Sequence, residues 1–233
     1  MLGVIGGMGP LATADFFRKL IVATPAAGDE QHIPVLIHSV PQIPSRPAAI
    51  LRGGPSPLPE LLLARDRLLA AGATVLAMPC NTAHHWYADL TRDCAVPFVH
   101  IADAVGASIA PAVRTIGLIA TEATLAAHVY EERLAARRFQ LLTPDAHEYR
   151  AAVQPAIDAV KANELPNAGR LLEPVVRDLL ARGAGCIVLA CTETPIALDA
   201  IDSPLRAQCI DSTAALARAC IAMWQSMTQG SNL

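Results

Sequence analysis

Residues 2–10, LGVIGGMGP, recur in altered form 114 positions later as IGLIATEAT. TVLAMPCNT, ending at Thr82, recurs as IVLACTET, so that Cys80 falls on Cys191 at an offset of 111. VHIAD around Ile101 matches QCIDS around Ile210 at an offset of 109. Matches in the same order at shrinking offsets describe a duplicated unit whose second copy carries small deletions. Such a chain is expected to fold into two similar bodies, and a residue found in both copies is placed twice.

The unit has a recognisable make-up. LGVIG at 2–6, PVLIHSV at 34–40 and TVLAM at 74–78 read as short buried strands. Ala/Leu-rich helical stretches separate them, such as PLPELLLARDRLLAAG at 57–72 with its closing glycine. Apolar strands alternating with helices indicate a parallel sheet covered on both faces. The expected fold is therefore α/β, with two pseudosymmetric lobes, each a parallel sheet flanked by helices, and a site in the cleft between them. The first lobe is expected over 1–100 and the second over 101–210, with a C-terminal helix in 211–233 packing back on the first. The chain is 53% hydrophobic but only 4% aromatic, so its cores should be aliphatic.

Several classes of function are disfavoured. The formal net charge is −3, with acids and bases mixed along the chain. No basic tract or aromatic-interleaved patch suggests nucleic acid. The longest apolar stretches are too short to span a bilayer, so no membrane partner is expected. The start, MLGVIGGMGP, lacks the positive flank and long apolar segment of a signal peptide, which points to the cytoplasm. Cysteines at 80, 94, 186, 191, 209 and 220 form no dense disulfide pattern and should be thiols in a reducing compartment. Lysine is scarce, with only Lys19 and Lys161 in the chain. A bias toward arginine this strong draws attention to both.

In an open parallel sheet, ligands bind beyond the carboxyl ends of the strands. Cys80 and Cys191 both sit there, followed by Asn81-Thr82 and Thr192-Glu193. Polar N-cap types directly after each thiol predict a helix N-terminus at each sulfur. That placement should favour the thiolate and lower its pKa. Cys94, Cys186, Cys209 and Cys220 lack this setting. The GGMGP loop is not a G-x-G-x-x-G, and it reads as a tight turn whose amides could wall a small anion site. Cys80 and His84 are an i,i+4 pair, but the second copy has no histidine near Cys191, and structural zinc requires four ligands, so no metal is expected. His84 instead reads as a supporting partner one turn below the thiol, and His85 as a surface or interface residue. Arg46 and Lys161 stand at an offset of 115, close to the other matches. Each lobe would then offer one thiol and one cation to the cleft.

Together, GVIGGMGPLATADFF, the loop at Arg46, MPCNTAHHWY, GLIATEATLAAHVYEERL, Lys161 and LACTETPIAL resemble the aspartate/glutamate racemase family, in order and over nearly the whole chain. The resemblance implies racemisation of an acidic amino acid, aspartate foremost, without pyridoxal phosphate or metal, and a homodimer; the alternatives it leaves are racemisation of glutamate or another amino acid, or a related cysteine-dependent isomerisation of a small carboxylic acid. It places the two bases at Cys80 and Cys191, with Cys191 acting on the L enantiomer and Cys80 on the D. It gives substrate-carboxylate recognition to Arg46 and Lys161, and the pocket wall to Met8, Asn81, Thr82, Thr121 and Thr192. Glu193 would orient Cys191 or meet the substrate amine. Two departures stand out: Ala123 where the family often has glycine, and Pro41-Gln42 where an acidic or polar stretch is common. The chemistry suits a thiol pair. Inversion removes a proton from one face of Cα and delivers one to the other, which two acid–base groups across a cleft can do without turning the intermediate over.

Overall fold

The computed structural model describes residues 1–134 and 138–230. It contains two four-stranded parallel sheets of identical strand order. The first sheet runs β2-β1-β3-β4, from β1 (Leu2–Gly6), β2 (Val35–Ser39), β3 (Val75–Ala77) and β4 (Phe98–Val99). The second runs β6-β5-β7-β8, from β5 (Thr115–Ala120), β6 (Gln140–Leu142), β7 (Cys186–Ala190) and β8 (Cys209–Asp211). The central strands β1, β3 and β7 are buried along their whole length, whereas the edge strands β2 and β6 are part-exposed. This is why the central strands read as unbroken apolar runs.

Helices cover both faces of each sheet. In the first half these are α1 (Pro10–Ala23), α2 (Arg46–Arg52), α3 (Leu58–Ala70), α4 (Tyr87–Thr91) and α5 (Ile101–Ser108). In the second they are α6 (Glu122–Ala126), α7 (Glu131–Leu134), α8 (Ala146–Glu148), α9 (Gln154–Lys161), α10 (Leu165–Ala181), α11 (Thr194–Asp199) and α12 (Ser212–Gly230). One core lies between the first sheet and α3, around Leu61, Leu68, Leu76 and Leu90. Its counterpart lies between the second sheet and α9 and α10, around Ile157, Leu172, Val176 and Leu189.

The other face of the first sheet takes part of its cover from the end of the chain. Leu216, Ala217, Cys220 and Ile221 of α12 share a core with Phe16 and Leu20 of α1 and with Leu2 and Val4 of β1. Burying side chains such as Leu216 and Ile221 contributes about 1.5–3 kcal/mol each, enough to hold the last helix on this face. Residues 231–233, at the end of the expected C-terminal segment, lie outside the described residues.

A buried ionic cluster reinforces this seam. Lys19 of α1 is nearly enclosed; its Nζ meets Asp15 and lies 2.6 Å from Asp211 Oδ2 and 2.9 Å from Thr213 Oγ1. Asp211 also accepts from Arg206 at 2.7 Å, from Thr213 N at 2.9 Å and Oγ1 at 2.7 Å, and from Ala214 N at 3.0 Å. Burial alone would push the Asp211 carboxyl up, but Lys19 and these donors hold it below its ordinary value. The cluster fixes the chain where β8 becomes α12.

After β1 the chain must turn sharply to begin α1. Gly7 has φ +93°, and a Cβ there would overlap the backbone of Val40. Glycine meets both demands at that position. No helix among the described residues is long and apolar enough to cross a membrane.

Candidate active site

Both sheets end their central strands at one cavity of about 190 Å³. Met8, Arg46, Cys80, Asn81, Thr82, Thr121, Lys161, Cys191, Thr192 and Glu193 all line it. Arg46 opens α2 and Lys161 closes α9, while the others come from the loops and turns that follow strands of the two sheets, which explains why a duplicated chain brings two thiols to a single space.

Cys80 leaves β3 through Met78 and Pro79, and only 6% of its surface is exposed. Arg46 lines the same cavity. The carbonyl of Cys80 is held by His84 Nδ1 at 2.9 Å. His84 Nε2 accepts from the Ile101 N–H at 3.2 Å, so the ring is neutral and its proton sits on Nδ1, donated to Cys80. Burial lowers the His84 pKa to about 4, consistent with that role. His84 thus supports the thiol through the backbone, as read from the sequence, while His85 is exposed. Among the described residues no group of three or more histidine, cysteine or acidic side chains could hold a metal.

Cys191 leaves β7 in the same manner and is 5% exposed. Its Sγ donates to Glu193 Oε2 at 3.0 Å, and Thr192 Oγ1 donates to the same oxygen at 2.9 Å. The carbonyl of Cys191 accepts from Thr194 Oγ1 at 2.7 Å, the counterpart of the His84 contact in the first half.

The expected lowering of both thiol pKa values is not what the structure gives. Burial pushes the Cys80 thiol up, and Arg46 and the Ala83 amide only partly offset it. Burial pushes Cys191 well above its ordinary value, and the Glu193 carboxylate adds to the rise. The helical starts are too slight to reverse this, being a 3-10 turn at Thr82–Trp86 and the six-residue α11. The residues expected to cap them do other work. Asn81 and Glu193 occupy the N-cap positions without a side-chain cap bond.

Asn81 instead accepts from Tyr130 Oη at 2.6 Å and donates to Ser212 Oγ at 3.1 Å. Thr82 joins Thr121 and Thr124 in a triangle of hydroxyls, at 3.1 Å from Thr121 and 2.7 Å from Thr124, with Thr121 and Thr124 2.8 Å apart. Tyr130, Ser212 and Thr124 were not singled out from the sequence. The signals available were a buried-type aromatic in a chain with three tyrosines, and the Thr121-x-x-Thr124 spacing, in which Thr121 caps α6.

The two cations are not equivalent in place. Arg46 opens α2, its Nη1 donates to the carbonyls of Ile43 and Pro44 at 3.0 Å each, and its buried Nε has no protein partner. Lys161 closes α9, is exposed at the cavity's edge and lies 3.9 Å from Asp158. The near-matching offset is therefore not a match of structural position, because the second half reaches its helix through the π-helical turn Tyr149–Val153. Outside the mouth lies a wider hollow of about 500 Å³, which shares Pro47, Thr121, Ile157 and Lys161 with the inner cavity. Ala123 lines that outer hollow, while Pro41 and Gln42 are exposed. The Gly7 N–H turns inward to Thr13 Oγ1 at 2.9 Å and is not available to an anion, but Gly9 and Pro10 do line the inner cavity.

Comparison with known proteins agrees with this arrangement. The model of the family described as Asp/Glu/Hydantoin racemase matches residues 5–220. The broad specificity amino-acid racemase RacX of Bacillus subtilis is 26% identical, over 96% of this chain and 98% of its own. The structure of Picrophilus torridus aspartate racemase superimposes with a TM-score of 0.83 at 29% identity, covering 95% of this chain and 93% of that one. A glutamate racemase from Francisella tularensis, solved with D-glutamate, shares the fold at a TM-score of 0.68 and 16% identity, over 97% of this chain and 81% of its own. The chain belongs to the Asp/Glu/hydantoin racemase family, and it is an isomerase of the amino-acid racemase type.

Proposed function

We propose that the enzyme inverts an acidic amino acid, aspartate foremost, by proton transfer between Cys80 and Cys191, in the cytoplasm and as a homodimer. The observation that carries this reading is that sulfurs from matching positions of two like sheets line one cavity of about 190 Å³. The α-carbon of a substrate held there lies between two acid–base groups.

The two thiols are unlike in the free protein, and the difference sets the direction of a turnover. Cys191 keeps its proton, donated to Glu193. Burial raises the Cys80 thiol too, but Arg46 and the Ala83 amide partly offset it, so Cys80 is the one better supported as thiolate. The Cys80 thiolate takes the proton from one face of Cα, leaving an electron pair shared with the α-carboxylate. The Cys191 S–H delivers its proton to the opposite face. Cys80 ends as the thiol and Cys191 as the thiolate, so this form is ready for the reverse reaction. The α-carboxylate rests against the amides and polar side chains of Asn81, Thr82 and Thr192, whose donors meet the charge as it grows. Arg46 and Lys161 take the distal carboxylate, Met8 and Thr121 close the walls, and Glu193 holds the Cys191 proton in line. No cofactor is invoked.

The outer hollow favours a second reading, in which longer amino acids extend past Lys161 into it. The similarity to a broad specificity racemase supports that reading too. The test is a panel of L-amino acids incubated in heavy water, scored for D-product and Cα-deuterium. Aspartate should turn over fastest, and Lys161→Ala should erode its advantage over alanine. A panel in which neutral amino acids outrun aspartate would overturn the acidic assignment.

A further inference from the structure

Asn81 follows β3 of the first sheet, yet both ends of its carboxamide are held by residues that follow strands of the second. Tyr130 lies beyond β5 and α6, and Ser212 lies directly after β8. All three side chains are buried, Tyr130 and Ser212 fully. The Tyr130 Oη to Asn81 Oδ1 distance is 2.6 Å, in the range of an O–H···O bond. The Asn81 Nδ2 to Ser212 Oγ distance is 3.1 Å, in the range of an N–H···O bond. Tyr130 thus meets the oxygen end of the carboxamide and Ser212 its nitrogen end.

A carboxamide has two N–H donors. One is donated to Ser212, and Asn81 lines the cavity. The geometry assigns Tyr130 and Ser212 as positioning residues that make Asn81 present an N–H, not its oxygen, to the substrate's α-carboxylate. This rests on the proposed reading of Asn81 as a carboxylate contact. Turned over, the same side chain would set a carbonyl oxygen against the carboxylate and oppose its growing charge. Ser212 is fixed in turn, because its neighbour Asp211 is locked to Lys19, Arg206 and the start of α12. A group that meets charge formed in the transition state acts on kcat more than on KM.

The experiment measures kcat, KM and Tm for the wild type, Tyr130→Phe, Ser212→Ala, Asn81→Ala and the double variant Asn81→Ala/Tyr130→Phe. The substrate is L-aspartate, or whichever amino acid of the panel turns over. Tyr130→Phe is expected to lower kcat about tenfold or more with a smaller change in KM. The double variant should match Asn81→Ala alone within about twofold, because an orienting group has no effect once the oriented group is gone. Ser212→Ala removes only a hydroxyl, and it carries the same expectation if the phenylalanine variant fails to fold. Wild-type turnover by Asn81→Ala would overturn the reading of Asn81 itself. An impaired Asn81→Ala beside a fully active Tyr130→Phe or Ser212→Ala would overturn the positioning role alone, as would losses that multiply in the double variant.

Discussion

Replacing Lys19 by methionine keeps the length of the side chain and removes its charge. In the native protein that charge is 2.6 Å from the carboxylate of Asp211, and neither group has more than a tenth of its surface exposed. Breaking a buried ion pair from one side costs about 3–5 kcal/mol, because the remaining charge is left enclosed. Asp211 would still have Arg206 at 2.7 Å and the donors of Thr213 and Ala214, and Asp15 would still have Arg18 at 2.8 Å, so the lower end, about 3 kcal/mol, applies. For a chain of this size that is a fall in Tm of about 6–12 °C. Thermal melts at neutral pH measure it directly. The pH dependence adds a second check. In the native protein the Asp211 pKa is depressed, so its stabilisation is present above the unfolded value of about 3.9 and is lost as the pH falls through the folded value. Without Lys19 the folded pKa rises, so the gap between variant and wild type should narrow on acidification toward pH 4. A Tm within about 2 °C of wild type at pH 7, or a gap that widens in acid, would refute the reasoning.

Three further outcomes follow from the geometry. Glu193→Gln removes a negative charge from beside the Cys191 thiol and should move to lower pH the acid limb of kcat/KM measured from the L enantiomer, the direction in which Cys191 is the base; an unmoved limb would contradict the role given to the 3.0 Å contact. Gly7→Ala combines φ +93° with an overlap on Val40 and should lower stability by at least about 2 kcal/mol in urea melts, whereas a neutral change would contradict the close approach. His84 is neutral with a pKa of about 4 against about 6.5 unfolded, so its contribution to stability is full above about pH 6.5 and is lost as the pH falls toward 4. His84→Ala should flatten that part of the stability profile and, by orphaning the Cys80 carbonyl and the Ile101 N–H, lower stability by about 2–3 kcal/mol; a profile of unchanged slope would count against it.

The repeat made the fold legible because strand order follows from topology, and topology was written twice. LGVIG and TIGLIA became central strands of two like sheets for the same reason, their unbroken apolar runs. Cys80 and Cys191 were legible as a pair for that reason as well. Three features were not legible. The direction of the thiol shifts was hidden because residue types announce a helix start but do not announce how deeply a sulfur is buried, and burial is the larger effect here. The Asn81 contacts were hidden because Tyr130 is 49 residues away and Ser212 is 131 away, and neither belongs to a local motif. Lys19 was conspicuous as a rare lysine, but its partner Asp211 becomes a neighbour only when α12 packs against α1.

In the proposed mechanism the two sulfurs serve opposite faces of one α-carbon. Cα-hydrogen exchange in heavy water tests it most directly, measured separately from the L and the D enantiomer for wild type, Cys80→Ser and Cys191→Ser. Wild type should exchange both enantiomers and invert them. Each serine variant should lose inversion, and the two should differ in which enantiomer suffers the greater loss of exchange, Cys191→Ser more for L and Cys80→Ser more for D. Near wild-type inversion by either variant would contradict the account.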